Sequence, residues 1–308
     1  MESNINDWEG LFLQSIKKGG SSSDRTFHFI VYLVVVAFAV FCFIPFWIVV
    51  INSFSDTTIL NIRGYQIFVS KFSLDAYRYL FSGKQVYTSY GVSLFQTIVG
   101  TALAVLITTM FAYTVSHKKV KYSGILSFMA YIVMIFGSGL VGFYLVVANW
   151  LHLKDSIWAL IFPYLMNPFN VFLCVSFFRE NPYEIYESAT IDGANDISIF
   201  FRIILPISKP GIATITLFYA LQYWNDWWLS LLFIDDNRLH SLQMMLRELM
   251  SSVNASQYVV NSSQYIKNLP SEGFKLAMVC VTIGPIVLLY PFIQKYFVKG
   301  ITLGSVKG

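Results

Sequence analysis

One short segment of the chain combines aromatic rings with amide and carboxylate groups, in the order Gln222-Tyr-Trp-Asn-Asp-Trp-Trp228. An aromatic face can stack on the CH face of a sugar ring while amides and carboxylates hydrogen-bond to its hydroxyls. The segment interrupts a long apolar stretch, and an ionisable residue at membrane depth usually faces a bundle interior or a water-filled cavity. The alternative is an aromatic belt at the outer membrane interface, in which Asp226 only reaches the lipid headgroups. The residue types alone leave both interpretations open.

No other residues form a set suited to catalysis. The four histidines lie in termini and loops without paired spacing, and we expect each to be interfacial or solvated: His28, His117, His152 and His240. The three cysteines lie in apolar segments without CxxC spacing, which favours small buried side chains over metal or disulfide roles. The sequence also lacks the G-x-x-x-x-G-K-[ST] phosphate-binding loop, so ATP would be bound by a separate chain. We therefore predict no metal, no cofactor and no enzymatic activity.

Composition indicates a membrane protein. The chain has 308 residues, of which 56% are hydrophobic and 12% are charged, and its mean hydropathy is +0.60. Soluble domains carry about 25% charged residues, and a net charge of +4 spread among loops does not indicate nucleic-acid binding. Six apolar segments reach the roughly 20 residues that a helix needs to cross a bilayer. They are residues 28–52, 90–115, 124–148, 157–178, 210–233 and 274–297.

Lysine and arginine positions predict the orientation of these spans, because cytoplasmic flanks are enriched in both residues. The N-terminal tail contains two lysines and an arginine, and lysines gather at the C-terminal end and in the connection between the second and third spans. We therefore predict a multi-pass protein of the cell membrane, with cytoplasmic tails at 1–27 and 299–308. Because the 179–209 loop follows the fourth span, it returns to the side of the N-terminal tail and so lies in the cytoplasm. The same count of spans places the connections 53–89 and 234–273 outside.

The 179–209 loop carries start and stop signals for two short helices. Asn181 at the N-cap and Pro182 at the first helical position predict the start of the first helix. Gly193 should end that helix, because glycine readily adopts a positive φ. We predict a second helix at about 196–204, which Pro206 and Pro210 end before the next span.

The stretch 187–206 reads ESATIDGANDISIFFRIILP, and it resembles the cytoplasmic coupling loop of permease subunits of ATP-binding-cassette (ABC) importers. The family pattern is Glu-Ala-Ala, two residues, Asp-Gly-Ala, five residues, Phe, two residues, Ile, one residue and Leu-Pro. Nine positions match in register: Glu187, Ala189, Asp192, Gly193, Ala194, Phe200, Ile203, Leu205 and Pro206. The single departure is Ser188, where the family usually has alanine.

This resemblance implies that the 179–209 loop docks into a cleft of a separate ATPase and transmits its closure to the spans. Small residues such as Ser188 and Ala189 would let the first helix lie close to a groove on the partner. Glu184 and Glu187 would meet basic groups there. The residues expected to couple the two proteins are Glu184, Glu187, Ser188, Ala189, Asp192, Gly193, Ala194, Phe200 and Pro206.

The resemblance covers most of the chain and implies an all-α fold, that of the type I importer permeases, with a six-helix membrane domain at 28–298. Sugar-importer permeases carry a similar Trp-Asn-Asp or Trp-Asn-Glu at the place of residues 224–226. This implies a translocation path near four residues: Tyr223, Trp224, Asn225 and Asp226. The ending of the chain resembles that of maltose-type permeases, in which the tail reaches into the ATPase, so residues 300–308 are a second expected contact.

The segments 242–247 and 272–275 resemble the branch of the family that handles complex oligosaccharides and polysaccharide fragments. We therefore expect a carbohydrate importer subunit that works by alternating access. Its expected partners are a homologous second permease, a pair of ATPase subunits, an extracytoplasmic solute-binding protein and membrane lipid. Two alternatives remain open: an ABC permease for amino acids, peptides or ions, and a secondary transporter or membrane-embedded enzyme. The latter requires intramembrane acid–base groups, for which Asp226 is the clear candidate.

Overall fold

The computed structural model describes residues 22–117, 119–137, 139–258 and 272–287. These residues are mostly helical, in agreement with the predicted all-α class, and their single β pairing is an isolated antiparallel bridge between Ser55 and Phe72. The α-helices in chain order are α1 (Ser22–Ser53), α2 (Thr57–Arg63), α3 (Asp75–Ser82), α4 (Lys84–Ser116), α5 (Ser123–Ile135), α6 (Gly139–Tyr144), α7 (Pro168–Arg179), α8 (Tyr183–Ile191), α9 (Asp196–Ile199), α10 (Leu205–Ile207), α11 (Lys209–Trp224), α12 (Trp228–Phe233), α13 (Leu242–Tyr258) and α14 (272–287).

Only part of the predicted span pattern is made of single continuous helices. Within the described residues, α1 and α4 are long and apolar enough to cross a membrane, and up to five spans result if each of three bent helix pairs counts as one. The bends measure 120° between α5 and the helical segment 139–150, 49° before α7, and 86° between α10 and α11. The third and fourth predicted spans are therefore broken rather than continuous. The sixth predicted span, 274–297, is described only to residue 287.

Local residues explain the breaks. Gly139 begins α6 with φ +70°, a backbone conformation that favours glycine. Asn167 caps α7 by accepting a hydrogen bond from the Phe169 N–H, and Pro168 follows it at the start of the helix. Pro168 therefore lies at the start of a helix, where its missing N–H is tolerated. The fifth predicted span is also divided, because α11 ends before Asn225 and α12 begins three residues later.

Helix α4 lies at the centre of the packing, against α7 and α11. Tyr219 and Tyr223 of α11 are fully buried against it. The hydroxyls of Thr108 and Tyr219 lie 2.6 Å apart, and Gln96 Nε2 donates to the Tyr223 carbonyl at 2.6 Å. Such bonds matter because the bilayer offers no water to satisfy polar groups. A Cβ atom on Gly100 would lie 2.7 Å from the Tyr223 ring, so glycine permits this close approach of the two helices.

We expect the exchange Gly100→Ala to destabilise the protein. The added methyl group would meet a ring that is buried and anchored, since Tyr223 Oη donates to the Ile161 carbonyl at 2.9 Å. Overpacking of this kind costs about 1–3 kcal/mol, which for a chain of this size lowers Tm by roughly 2–10 °C. Thermal unfolding in detergent measures the shift. The matched control is Gly91→Ala on the same helix, where no group lies within 4 Å of the added atom. Equal melting temperatures for the two variants would contradict the prediction.

Both connections predicted to lie outside contain helices. The first holds α2 and α3, and Asp56 caps α2 by accepting from the Thr58 N–H. Lys71 Nζ lies 2.7 Å from Asp56 Oδ2, and the hydrogen bond from Lys71 holds the pKa of that carboxyl below its ordinary value. In the second connection, α13 occupies 17 residues. The apolar residues of α13 recur with the period of a helix, but its serines and asparagines obscure that pattern in the sequence.

Two predictions about single residues are wrong. His240 is buried rather than solvated: its Nδ1 lies 3.1 Å from Glu248 Oε1, and its Nε2 lies 3.3 Å from the Ile234 carbonyl. Cys174 is buried as expected, whereas Cys42 is exposed on the single chain. Cys42 lies in α1, whose apolar side chains contact little else in the described part of the chain and so remain available to lipid or a partner.

Candidate functional site

The 179–209 loop is closed at its base by a hydrogen bond between its two ends. Asn181 Nδ2 donates to Ser208 Oγ at 2.9 Å. Helix α8 accordingly has Pro182 as its N-cap residue rather than Asn181, which corrects the predicted start by one position. The amide predicted to cap the helix instead joins the end of α7 to the start of α11. Both ends of the loop are thus held at the same place on the bundle.

The first helix of the loop ends at a left-handed glycine, as the sequence predicts. Gly193 has φ +78°. Its N–H donates to the Thr190 carbonyl at 3.1 Å, and the N–H of Ala194 donates to the Ala189 carbonyl at 3.0 Å. Together these bonds form a Schellman motif, which satisfies carbonyls at a helix end. No group lies within 4 Å of a Cβ built at this position. The backbone conformation, and not crowding, therefore explains the glycine.

The second helix of the loop is longer and less regular than predicted. Helix α9 passes into a π-helical stretch, Phe200–Ile204, and then into α10, so helical structure continues to Ile207. The prediction that Pro206 ends this helix is wrong. Proline lacks an N–H group, which is tolerated in the first turn of a helical segment, and Pro206 lies in the first turn of α10. The chain turns by 86° two residues later, before α11.

The predicted coupling residues divide into two groups by exposure. Six are exposed on the single chain: Glu184, Glu187, Ser188, Asp192, Gly193 and Pro206. Ala194 is half-buried, whereas Ala189 is 7% exposed and Phe200 is 4% exposed. The last two belong to a core that includes residues of α4 and α7. The small side chain of Ala189 therefore lets α8 pack on its own bundle, and the expectation that it faces a groove on a partner is wrong.

Five rings connect the loop to the cytoplasmic end predicted for α4. Tyr186 of α8 stacks on Tyr113 with ring centroids 6.1 Å apart and meets His117 edge-on at 5.3 Å. Tyr183 stacks on Tyr186 at 5.9 Å, and Phe200 lies 5.1 Å from Tyr113. Burial raises the pKa of Tyr186 to about 12, so its hydroxyl stays protonated. We call these five residues the aromatic seat. Through these rings α8 is in direct contact with α4.

The outward side of the loop combines acidic and large apolar side chains. Ile191 is 85% exposed and Ile197 is 70% exposed, on either side of the Gly193 turn. The carboxylates of Glu184 and Glu187 are exposed on α8, the helix that ends at Ile191. Exposed apolar groups with a polar rim are typical of protein contact sites. Ile191 was not among the residues predicted from the sequence to couple the two proteins, although an isoleucine beside an Asp-Gly turn in a polar loop could have indicated a contact site. We call these four residues the acidic–apolar face.

At the other end of α11, Asp226 lies in the break between α11 and α12. It is 6% exposed, and its carboxylate accepts hydrogen bonds from the Tyr164 hydroxyl at 3.1 Å and the Leu229 N–H at 3.2 Å. Its own carbonyl accepts from Ser241 Oγ at 2.9 Å. A carboxylate before the first turn of a helix stabilises the free N–H groups there. Because the side chain is enclosed by the chain itself, this geometry argues against the aromatic-belt alternative.

The three other residues of the predicted path are not brought together on one open surface. Tyr223 is fully buried, and Trp224 is 5% exposed with its Nε1–H donating to the Thr282 carbonyl at 3.0 Å. Asn225 alone is exposed, and its Oδ1 accepts from Gln243 Nε2 at 3.3 Å. The ring faces of Tyr223 and Trp224 are thus used in packing. Neither ring is available to stack on a sugar in this conformation.

Residues on α4 contact this region and were missed in the sequence. Small or polar side chains recur every three or four residues along one side of the helix, and all are buried: Ser89, Ser93, Gln96, Gly100, Ala104 and Thr108. That spacing in an otherwise apolar helix is a signal that could have been found. Ser93 Oγ accepts from the Leu242 N–H at 2.8 Å, which connects α4 to α13. Within the described ranges, no three potential metal ligands lie together.

The chain is similar to known transport proteins along nearly its whole length. The family described as the inner membrane component of binding-protein-dependent transport systems matches residues 104–303. The polygalacturonan/rhamnogalacturonan transport system permease protein YtcP of Bacillus subtilis (strain 168) is 39% identical over 285 residues, which cover 92% of this chain and 99% of that protein. Protein LplC of the same organism is 42% identical over 267 residues, covering 86% of this chain and 89% of that protein.

A solved structure has the same fold. It is the crystal structure of a bacterial ABC transporter involved in the import of the acidic polysaccharide alginate. The TM-score is 0.81 at 26% sequence identity, with 91% of this chain and 99% of that chain covered.

The family match covers more than half of the chain, and two relatives are similar over most of their length. The family resemblance seen in the 179–209 loop is therefore confirmed over most of the chain. The subunit is a transport protein and not an enzyme, and ATP hydrolysis belongs to a separate ATPase. The chain belongs to the family of inner membrane components of binding-protein-dependent transport systems, and it is a permease subunit of an ABC importer.

Proposed function

We propose that the chain forms half of the translocation path for an oligosaccharide or polysaccharide fragment. The observation that carries this proposal is similarity over nearly the full length to a permease named for polygalacturonan and rhamnogalacturonan transport. The fold shared with an importer of the acidic polysaccharide alginate supports the same class of cargo. ATP is bound by partner subunits, and this chain needs no cofactor of its own.

The proposed assembly contains this chain, a homologous second permease, two ATPase subunits and an external solute-binding protein. In it the membrane domain at 28–298 crosses the bilayer six times, and the tails at 1–27 and 299–308 lie in the cytoplasm. Two long apolar helices and three bent pairs supply up to five spans within the described residues, and the sixth, 274–297, is described only to residue 287. Most of both tails, including the second ATPase contact expected at 300–308, lies outside the described residues.

The acidic–apolar face of the 179–209 loop is the proposed contact with the ATPase. Glu184 and Glu187 are exposed and can meet basic groups, while Ile191 and Ile197 offer apolar surface. Gly193 and the exposed Asp192 form the turn between the two helices. Ala189, Ala194 and Phe200 fix the loop to the bundle from the inside. A push on α8 would then reach α4 through the aromatic seat.

The break at 225–227 is the proposed wall of the path. Asn225 is exposed there on the single chain. Asp226 positions it, because its carboxylate holds the start of α12 and the Tyr164 hydroxyl in one place. Tyr223 and Trp224 anchor the same break to α4 and α14 through packing and through the hydrogen bonds of their polar atoms.

Uptake by the reconstituted importer tests the cargo class. We expect proteoliposomes that contain both permeases, the ATPase pair and the cognate binding protein to accumulate labelled glycan oligomers only when ATP is supplied. An ATPase variant that cannot hydrolyse ATP is the control. Accumulation of amino acids, peptides or ions with no uptake of any glycan would contradict the carbohydrate proposal. Uptake without ATP would contradict the importer class itself.

A further inference from the structure

Helix α13 carries an arginine that is held on an aromatic ring beside the break at 225–227. The guanidinium carbon of Arg247 lies 3.7 Å from the centre of the Trp227 ring. Arg247 is exposed. Stacking of this kind orients the planar guanidinium and leaves the N–H groups at its edge free to bind an anion. The segment 242–247 resembles one branch of the family, but the roles proposed for coupling and for the translocation path do not involve this arginine.

The nearby acidic side chains do not neutralise this charge. The four acids between residues 225 and 258 each have a partner other than Arg247: Asp226 with Tyr164 at 3.1 Å, Asp235 with Lys154 at 2.8 Å, Asp236 with Arg238 at 2.7 Å and Glu248 with His240 at 3.1 Å. Arg247 forms no ion pair within the described part of the chain. An exposed cation that forms no ion pair within the described residues favours an anion from outside the chain.

Amide and aromatic groups surround the same position. Gln243 lies one helical turn before Arg247, on the same side of α13, and its Nε2 donates to Asn225 Oδ1 at 3.3 Å. Trp228 is 38% exposed and meets the Trp227 ring edge-on, with centroids 5.5 Å apart. One patch therefore offers a fixed cation, two amides and an exposed indole. A sugar that carries a carboxylate can bind to each of these groups through its carboxylate, its hydroxyls and a CH face.

We propose that Arg247, Asn225 and Gln243 form a subsite for an acidic sugar unit, an inference that rests on the carbohydrate cargo proposed above. The guanidinium binds the carboxylate of a uronate through two parallel hydrogen bonds. The amides bind the hydroxyls of the ring, and the indole of Trp228 covers a CH face. The cargo is accordingly an oligosaccharide that contains uronate units, and the subsite selects for them as the glycan enters the break at 225–227.

The test compares charged and uncharged forms of one glycan in the complete reconstituted importer. The probes are trigalacturonate and its methyl ester, each presented on the binding protein. We expect Arg247→Gln to lower kcat/KM for uptake of trigalacturonate by about tenfold or more, the size that a charge-assisted pair supports. Uptake of the methyl ester should change by less than about twofold, because a hydrogen bond to an uncharged group contributes less. Arg247→Lys should fall between wild type and Arg247→Gln, since lysine keeps the charge and loses the paired geometry.

Arg238→Gln is the matched control, because Arg238 is an exposed arginine between α12 and α13 that already pairs with Asp236. It should behave as wild type with both probes. A second readout is ionic strength, which should weaken trigalacturonate uptake more in wild type than in Arg247→Gln, since salt screens charged contacts.

Several results would overturn the subsite. An equal fall for both probes would identify a structural role for Arg247 or a contact with the binding protein, and a defect confined to vesicles with anionic lipid would identify a headgroup contact. Unchanged uptake of trigalacturonate by Arg247→Gln would also contradict the subsite. If the wild-type importer took up neutral glycans but no uronate, the subsite would fail while the carbohydrate proposal stood. If it took up neither, both would fail.

Discussion

Replacing Gly193 with valine is expected to uncouple ATP hydrolysis from uptake while the subunit is still made and inserted. A β-branched residue is strained at φ +78°, by roughly 1–2 kcal/mol or more. Relief of that strain breaks the hydrogen bonds of the Gly193 and Ala194 N–H groups to the end of α8. The two helices of the loop then change their relative direction, and ATPase closure no longer moves α4. Uptake should fall by at least about tenfold, whereas ATP hydrolysis continues.

The control for this prediction is Gly193→Asn. Asparagine tolerates the left-handed conformation, and it adds a side chain of similar size where no group lies within 4 Å. We expect it to keep uptake within about threefold of wild type. If both variants lost uptake equally, the added bulk at the ATPase surface would be the cause. Unaltered uptake by Gly193→Val would count against any coupling role for this turn.

Replacing Asp226 with alanine is expected to reduce uptake by roughly tenfold or more without weakening assembly with the ATPase. The exchange leaves the Tyr164 hydroxyl and the Leu229 N–H without their acceptor. A buried donor that loses its partner costs about 1–3 kcal/mol, so the break at 225–227 shifts to recover hydrogen bonds. The 179–209 loop is separated from this break by the 16 residues of α11, about 24 Å of helix. Co-purification of the ATPase should therefore remain as in wild type.

Two variants separate the possible roles of this residue. Asp235→Ala removes an exposed aspartate that pairs with Lys154, and we expect its uptake to match wild type within about twofold. Asp226→Asn keeps an acceptor for the Leu229 N–H, so it should recover most of the uptake if Asp226 positions the break. Equal losses in Asp226→Asn and Asp226→Ala would instead indicate that the negative charge itself acts on the cargo. Normal kinetics in Asp226→Ala would restore the aromatic-belt interpretation.

The 179–209 loop shows how far local sequence signals reach. The helix-turn-helix form, the left-handed conformation of Gly193 and the family all follow from residues within about twenty positions of one another. The capping residue and the end of the second helix were predicted wrongly. Asn181 bonds to Ser208 across the whole loop, and the chain stays helical through Pro206 by adopting a π-helical stretch. Both outcomes depend on the ends of the loop being held together by the bundle.

The cluster at 222–228 shows the opposite case. Its composition suggested aromatic faces open to a ligand, yet the rings of Tyr223 and Trp224 are buried against α4 and α14. A single α-helix of mostly apolar residues has no polar face that would reveal which side is covered. Asn225 and Asp226 interrupt the apolar stretch, but the hydropathy pattern does not show that the helix ends after Trp224. The end of the helix is explained by the hydrogen bonds of Asp226 to residues that are distant in the sequence.

Hydropathy, charge placement and one motif were enough to predict a membrane permease subunit of an ABC importer, which the comparisons confirm. These properties are local or additive along the chain, so they can be read without knowing its path in space. Packing between distant residues was needed to show that Ala189 and Phe200 face inward, that the aromatic seat joins the loop to α4, and that Arg247 stands on Trp227 with its neighbouring acids engaged elsewhere. Exposure and pairing of a side chain are set by contacts across the fold, which nearby sequence does not specify.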